Sequence, residues 1–417
     1  MPMTSGCPIR ELADAIADRL AHPDAVPGHL VRRPWWRQSL AHGAPGVALL
    51  HIERAAAGLG SWQRAHDWLS YATHAPLTTG ADSHLFYGAP AVAHALNCAA
   101  EQRPGTYQEA LDRLDNVINA DARARVDAAH ARIDAGRLPT LAEFDVIRGL
   151  TGIGSYLLRR DQCGKPLRAI LEYLVRLTEP ISVDDETLPG WWTDTGPDGR
   201  LDARFRDGHA NSGLAHGIGG PLALLSLAAQ HGDIVDGQQD AMGRICAWLD
   251  RWRVTAPTGP VWPYWVNRPQ LCAGHRAVSG SQRPGWCYGT AGLARAQQLA
   301  ALMTGDDDRR TMAEQAMLQT LANSVQHPEH RDPSLCHGHV GILHIAARVA
   351  ADAAPDCAPR FHAQLPDLLH STCAALTSGE EAELEPALLE GAAGIALVLS
   401  NPATIPRTTW DTCLLIA

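Results

Sequence analysis

No stretch of about eighteen apolar residues occurs in this chain, so it lacks a transmembrane helix of ordinary length. The first thirty residues, MPMTSGCPIRELADAIADRLAHPDAVPGHL, carry charges and prolines where a secretory signal would carry an apolar core. Long runs of one charge sign are missing too. A net charge of -10 without acidic or basic blocks leaves no footprint for nucleic acid and no attraction to an anionic lipid surface. These absences point to a cytoplasmic protein. There, ten cysteines act as buried small side chains, metal ligands or reactive thiols rather than as a disulfide framework.

What the chain does have is 46% apolar residues over 417 positions, enough to bury a large core in one large domain or in two to three ordinary ones. An internal repeat decides between them. Gly-x-x-Gly or a near variant opens an apolar, alanine-rich stretch seven times: HGAPGVALLHIERA from His42, YGAPAVAHALNCAA from Tyr87, RGLTGIGSYLL from Arg148, HGIGGPLALLSLAA from His216, YGTAGLARAQQLAA from Tyr288, HGHVGILHIAARVA from His337 and EGAAGIALVLS from Glu390. The second copy has Ala91 in place of the second glycine. The spacing suits a helix pair plus a variable loop per unit.

Stretches such as Leu222 to Ala229 leave no polar face, as expected of helices buried on every side. Between them lie amphipathic stripes such as Ile245, Trp248, Leu249 and Trp252. Alternation of fully and half-buried helices implies an all-α fold, an α/α toroid with an inner ring of seven glycine-led helices inside an outer ring. It is read as one domain over 1–417, with long loops or small accessory insertions near 182–213 and 254–285 that are rich in Gly, Pro, Asp and Trp. Glycines at the helix starts are expected to let neighbouring backbones approach near the axis.

Aligned on its first glycine, each unit places a polar residue just before it: His42, Tyr87, Arg148, His216, Tyr288, His337 and Glu390. If all seven helices start at one end of the ring, these side chains meet at one mouth, where helix N-termini add partial positive charge. One position earlier, two consecutive units carry cysteine, Cys287 and Cys336. A lone Cys-His pair means little, since ten cysteines and twenty histidines in 417 residues give about 0.5 such pairs by chance, and buried cysteine is more often packing than ligand. Matched phase on adjacent units allows Cys287, Cys336 and His337 to form a three-ligand zinc site with an open fourth position. Both explanations stand at this point. The other cysteines, Cys7, Cys98, Cys163, Cys246, Cys272, Cys357, Cys373 and Cys413, are assigned to packing. Asp145, Arg283 and Tyr288 belong to the same mouth, although Asp145 can simply cap a helix, His216 can be a core histidine, Arg283 can hold a loop, and Trp286 is read as packing.

The blocks EFDVIRGLTGIGSYLL, GLAHGIGGPLALL, RPGWCYGTAGLA, LCHGHVGIL and LLEGAAGIALVL, in this order within residues 38–410, resemble the signature blocks of the lanthionine synthetase C-like proteins, the lanthipeptide cyclases. The length resembles that of a stand-alone cyclase more than the cyclase half of a fused dehydratase-cyclase. The resemblance implies an α/α toroid and one Zn2+ per chain on Cys287, Cys336 and His337, with water or a substrate thiolate at the fourth position. It implies His216 as acid/base, Asp145 as an essential aspartate, and supporting roles for Arg283 and Tyr288. The implied reaction adds a cysteine thiol of a dehydrated precursor peptide to the β-carbon of dehydroalanine or dehydrobutyrine, forming a thioether ring. A dehydratase and an exporter are the implied partners, and a biosynthetic complex would place the cytoplasmic protein at the membrane periphery.

The chemistry fits those residues. Zinc deprotonates a thiol whose ordinary pKa is about 8.5, and histidine suits delivery of a proton to the resulting enolate near neutral pH, or uptake of the thiol proton. Asp145 would orient His216 or share in the proton transfers, and Arg283 would stabilise negative charge or anchor Asp145. Four readings compete. A relative of the same fold could add glutathione to dehydrated residues, and a toroidal prenyltransferase also activates thiols on zinc. A carbohydrate-active toroid would use Asp145 and Glu390. A helical scaffold with structural zinc would need a fourth protein ligand, for which His339 is the nearest candidate.

Overall fold

The computed structural model describes residues 8–160, 164–183, 185–196, 199–257, 259–274, 278, 283–326, 332–376 and 384–417. All seven motif-led stretches form helices: Ala44–Ala56, Ala89–Gln102, Leu150–Arg160, Gly219–Gln230, Thr290–Thr304, His339–Ala351 and Ala392–Ser400. Their residues are buried almost without interruption. Amphipathic helices alternate with them, such as Trp62–Thr73, Lys165–Leu177 and Gln238–Trp252. Ile245, Leu249 and Trp252 turn inward on the last of these, as the stripe requires. Among the described residues no helix is long and apolar enough to cross a membrane.

Why the glycines recur is local. In the fifth repeat Gly289 is the N-cap and lies outside the helix, so it carries no helix-interior cost. It adopts φ +114, and a Cβ there would sit 2.0 Å from the Arg283 carbonyl oxygen. Gly292, in the first turn, would place a Cβ 2.3 Å from the Trp286 carbonyl oxygen. The sixth repeat repeats this geometry, with Gly338 against the Asp332 carbonyl and Gly341 against the Leu335 carbonyl. The principal close approach is therefore to the repeat's own preceding loop, not to a neighbouring helix as expected from the sequence. Folding that loop back lets its carbonyls take helix N–H groups that have no side-chain cap: Gly292 N donates to Gly285 O at 3.2 Å and His339 N to Asp332 O at 2.9 Å.

The chain divides into two compact units. The first holds residues 1–115, 321–352 and 358–411, and so the first, second, sixth and seventh repeats. Within it the loops before the glycines are stitched together by backbone bonds: Cys336 N to Leu389 O at 2.9 Å, Leu389 N to Ala41 O at 3.1 Å, and Leu40 N to Phe86 O at 3.0 Å. The last repeat thereby sits beside the first. The second unit holds residues 116–320, 353–357 and 412–417, with the third, fourth and fifth repeats. Its loops are joined in the same way, Val146 N to Ala215 O at 2.9 Å and Ala215 N to Cys287 O at 3.3 Å.

Both expected insertions lie in this second unit and contain short strands. Ile181–Val183 pairs with Glu186–Leu188 and Val254–Ala256 with Gly259–Val261, while His209–Asn211 pairs antiparallel with Trp265–Asn267 and so ties one insertion to the other. A capping box of Asn267 and Gln270 starts the six-residue helix Arg268–Ala273.

The inner helices are less uniformly apolar than their sequences suggest. In the first unit, the His94 ring bonds the Trp410 carbonyl at 3.0 Å, and His344 and Arg348 hold the buried Asp411 carboxylate at 2.8 and 2.7 Å. In the second, Ser155 donates to Thr412 O at 2.6 Å and the fully buried Arg295 to Ile416 O at 2.9 Å. His94, Ser155 and Arg295 satisfy buried backbone carbonyls of the last residues, which would otherwise cost about 1–3 kcal/mol per orphaned group, while His344 and Arg348 pair the Asp411 side chain.

Candidate metal centre and active site

The seven polar residues ahead of the glycines are all solvent-accessible: Arg148 and Glu390 are exposed, and His42, Tyr87, His216, Tyr288 and His337 are half-buried. The glycine that follows each is buried. Cys287, Cys336 and His337 each offer a ligand atom, and these atoms lie within 4.8 Å of one another. Tetrahedral zinc, at about 2.3 Å from sulfur and about 2.0 Å from nitrogen, holds its donors roughly 3.3–3.8 Å apart. Shifts of about an ångström would meet that geometry, and two thiols with an imidazole are a donor set zinc favours. No fourth His, Cys, Asp or Glu joins the group among the described residues, and His339 stands outside it.

The loops set these side chains. Cys336 is held by the bond from its N–H to Leu389 O, and the Cys287 carbonyl accepts from Ala215 N. Trp286, fully buried, donates its indole N–H to Leu414 O at 2.8 Å, which makes its expected packing role specific. His337 Nε2 lies 2.8 Å from Asp332 Oδ2, and its Nδ1 lies 3.9 Å from Glu390 Oε1. Burial alone would raise the Asp332 carboxyl, but hydrogen bonds from His337 and Ser334 outweigh it and hold it well below the usual carboxylate range.

Asp145 both caps and orients. Its Oδ1 accepts the Arg148 and Gly149 N–H groups at 2.6 and 2.8 Å, and its Oδ2 lies 2.8 Å from His216 Nδ1. The carboxylate is 2% exposed and the imidazole 30%. An ionised carboxylate only accepts, so the proton of this bond sits on Nδ1 and the free nitrogen of His216 is Nε2.

Tyr288 stacks at a tilt beside His216, ring centroids 6.1 Å apart, and its hydroxyl accepts from Asn211 Nδ2 at 2.8 Å. Tyr264, from the second insertion, lies 5.1 Å from the Tyr288 ring. Its hydroxyl accepts the Arg283 N–H at 2.7 Å and donates to the Arg283 carbonyl at 3.2 Å. Burial raises the Tyr264 phenol pKa, and the Arg283 backbone N–H works against it. The Arg283 side chain is exposed. The Asp145 oxygens bond the Arg148 and Gly149 N–H groups and His216.

A family model described as "Lanthionine synthetase C-like protein" matches residues 34–415. The chain belongs to the lanthionine synthetase C-like family. It is 23% identical over 317 residues to "Nisin biosynthesis protein NisC" of Lactococcus lactis subsp. lactis, covering 74% of this chain and 73% of that one. A solved structure named "Nisin cyclase" superposes with a TM-score of 0.75 at 21% identity, covering 98% of this chain and 97% of the other. The fold is thus the α/α toroid expected from the repeats.

A carboxylate pair of Asp145 and Glu390 would leave Asp145 free for a sugar, yet both its oxygens are engaged and it is buried. Of the cysteines assigned to packing, Cys98, Cys246, Cys357, Cys373 and Cys413 are buried, but Cys272 is exposed, because the short helix that carries it packs no face inward. Cys7 and Cys163 lie outside the described residues. Sequence reasoning missed Asn211, Tyr264 and Asp332. A second phase would have found two of them: the position six before the first glycine reads Arg37, Asp82, Glu143, Asn211, Arg283, Asp332 and Glu385, polar in every repeat.

Proposed function

We propose that the chain is a zinc-dependent lanthipeptide cyclase, adding cysteine thiols of a dehydrated precursor peptide to dehydroalanine or dehydrobutyrine to close lanthionine and methyllanthionine rings. The observation that carries this reading is the grouping of Cys287, Cys336 and His337 with no fourth protein ligand among the described residues. Three protein ligands and one open position are the pattern of catalytic rather than structural zinc. Zinc bound there would act as a Lewis acid that brings a substrate thiol to thiolate at neutral pH. Family membership and the similarity to NisC support the same reaction class.

The remaining chemistry belongs to side chains. Addition forms a C–S bond at the β-carbon and moves the π electrons into an enolate, and a proton must then reach the α-carbon. Nε2 of His216, the nitrogen that Asp145 leaves free, takes up the proton that the thiol loses and then hands it to the α-carbon. Arg283, its backbone clamped by Tyr264, offers its guanidinium to the enolate oxygen. Tyr288, fixed by Asn211, flanks the imidazole and limits its rotation. The substrate must first lose water from Ser or Thr, so a dehydratase acts upstream, and an exporter and a cytoplasmic setting complete the proposal.

Zinc stoichiometry of the purified chain beside Cys336→Ala, coupled to ring closure read by thiol alkylation and mass spectrometry, tests it. About one zinc per wild-type chain, lost in Cys336→Ala together with protection of substrate thiols, is the expected result. A folded wild type that takes up no zinc sinks the mechanism, and thioethers formed only between molecules would replace cyclisation with thiol transfer.

A further inference from the structure

The geometry points to Asp332 as the positioning residue that decides which nitrogen of His337 faces a metal. The inference rests on the metal reading above and extends it to a residue outside the ligand set. Asp332 Oδ2 lies 2.8 Å from His337 Nε2. A carboxylate accepts only, so Nε2 carries the hydrogen and Nδ1 keeps its lone pair for a ligand. A second carboxylate near this ring among the described residues, Glu390, is 3.9 Å from Nδ1, too far for a hydrogen bond, and its side chain is 53% exposed.

Asp332 is itself pinned at the start of its repeat. Its Oδ1 accepts the Ser334 N–H at 2.8 Å, and its carbonyl accepts the His339 N–H at 2.9 Å. That carbonyl lies 2.2 Å from where a Cβ on Gly338 would stand, so glycine at 338 is what lets the Asp332 backbone close on the helix. The motif glycine thus places the carboxylate, and the carboxylate sets the ring. Oδ1 accepts the N–H of Ser334 and Oδ2 the Nε2–H of His337. An asparagine has one acceptor oxygen and one donor amide, so Asp332→Asn can serve only one of them. With its oxygen on Ser334, its amide would donate to Nε2 and force the hydrogen onto Nδ1, the nitrogen meant for the metal.

The test compares wild type, Asp332→Asn, Asp332→Ala and Glu390→Gln for zinc affinity by chelator competition, for visible absorption of the cobalt-substituted protein, and for melting of the metal-free chain. Loss of such a partner weakens metal binding about 10–100-fold. The expected result is that loss in both Asp332 variants, an altered cobalt spectrum, and a change under threefold in Glu390→Gln. Nitrogen-15 shifts of the His337 ring in the metal-free wild type, assigned by their absence in His337→Gln, need no Asp332 variant and should report hydrogen on Nε2. Hydrogen on Nδ1 overturns the inference. So does wild-type zinc affinity in Asp332→Asn, with or without lowered melting, or an equal loss in Glu390→Gln, which would make the effect one of net charge. A wild type that binds no zinc overturns the metal reading itself, whereas a zinc-binding wild type with unaffected Asp332 variants overturns this inference alone.

Discussion

Replacing Asp145 by asparagine separates its two jobs. The amide keeps the shape, and its oxygen can still accept the Arg148 and Gly149 N–H groups that Asp145 Oδ1 takes at 2.6 and 2.8 Å. Its NH2 then faces His216 Nδ1, where Oδ2 had stood at 2.8 Å, and must donate. The imidazole answers by moving its hydrogen to Nε2, and the nitrogen that should take up and release the substrate proton is blocked. Positioned acid-base groups contribute about 100–10,000-fold in rate, and a wrong-tautomer histidine in hydrolase triads costs about 10,000-fold. Ring closure in Asp145→Asn should therefore fall by about 100–10,000-fold, with zinc content intact and stability within about 1 kcal/mol of wild type. Asp145→Ala orphans both N–H groups, and the lost cap and unpaired donors together cost about 2–4 kcal/mol. Single-turnover cyclisation of a dehydrated peptide, urea melting and metal analysis on the same preparations read all three quantities. Wild-type cyclisation by Asp145→Asn would refute the orienting role, and equal destabilisation in the two variants would refute the division of labour between the oxygens.

Two further outcomes concern stability. Burial alone would raise the Asp411 carboxyl, but Arg348 and His344 outweigh it and hold it far below the usual carboxylate range. The folded pKa is thus lower than the unfolded one, so this contribution is fully present above about pH 4 and is lost as pH falls further. Asp411→Asn should lower stability by about 3–5 kcal/mol at pH 7, with a shrinking difference from wild type in acid melts, and a constant difference would count against the pairing. Gly289→Ala, with φ +114 and a Cβ 2.0 Å from the Arg283 carbonyl, should cost more than about 2 kcal/mol. Gly305→Ala, at φ +69 with open space around it, should cost about 1 kcal/mol, so equal melting of the two variants would refute the close-approach argument.

Much of the site was legible because glycine marks a common height in each repeat. Counting back one residue from it found His216, Tyr288 and His337, and counting back two found Cys287 and Cys336. Asn211, Arg283 and Asp332 share the sixth position back, a phase the sequence carries but whose meaning, a loop carbonyl meeting the glycine, shows only once the loop is seen to fold back. Tyr264 had no phase at all. It reaches Arg283 only because the strand His209–Asn211 pairs with Trp265–Asn267 across two insertions. The polar residues on inner helices were equally silent, since what His94, Ser155 and Arg295 satisfy is backbone from the far end of the chain.

By itself the sequence determined the helical repeat, the height of each polar side chain on it and the residue types able to hold a metal, because periodicity and composition are local properties carried in every unit. Only the tertiary structure decided which oxygen of Asp145 serves a cap and which serves His216, and which nitrogen of His337 is held by Asp332. Those choices depend on angles and on distances of tenths of an ångström that the folded loops set, both within a repeat and between Asp145 and His216, 71 residues apart, and hydrogen bonds are directional enough to make them matter.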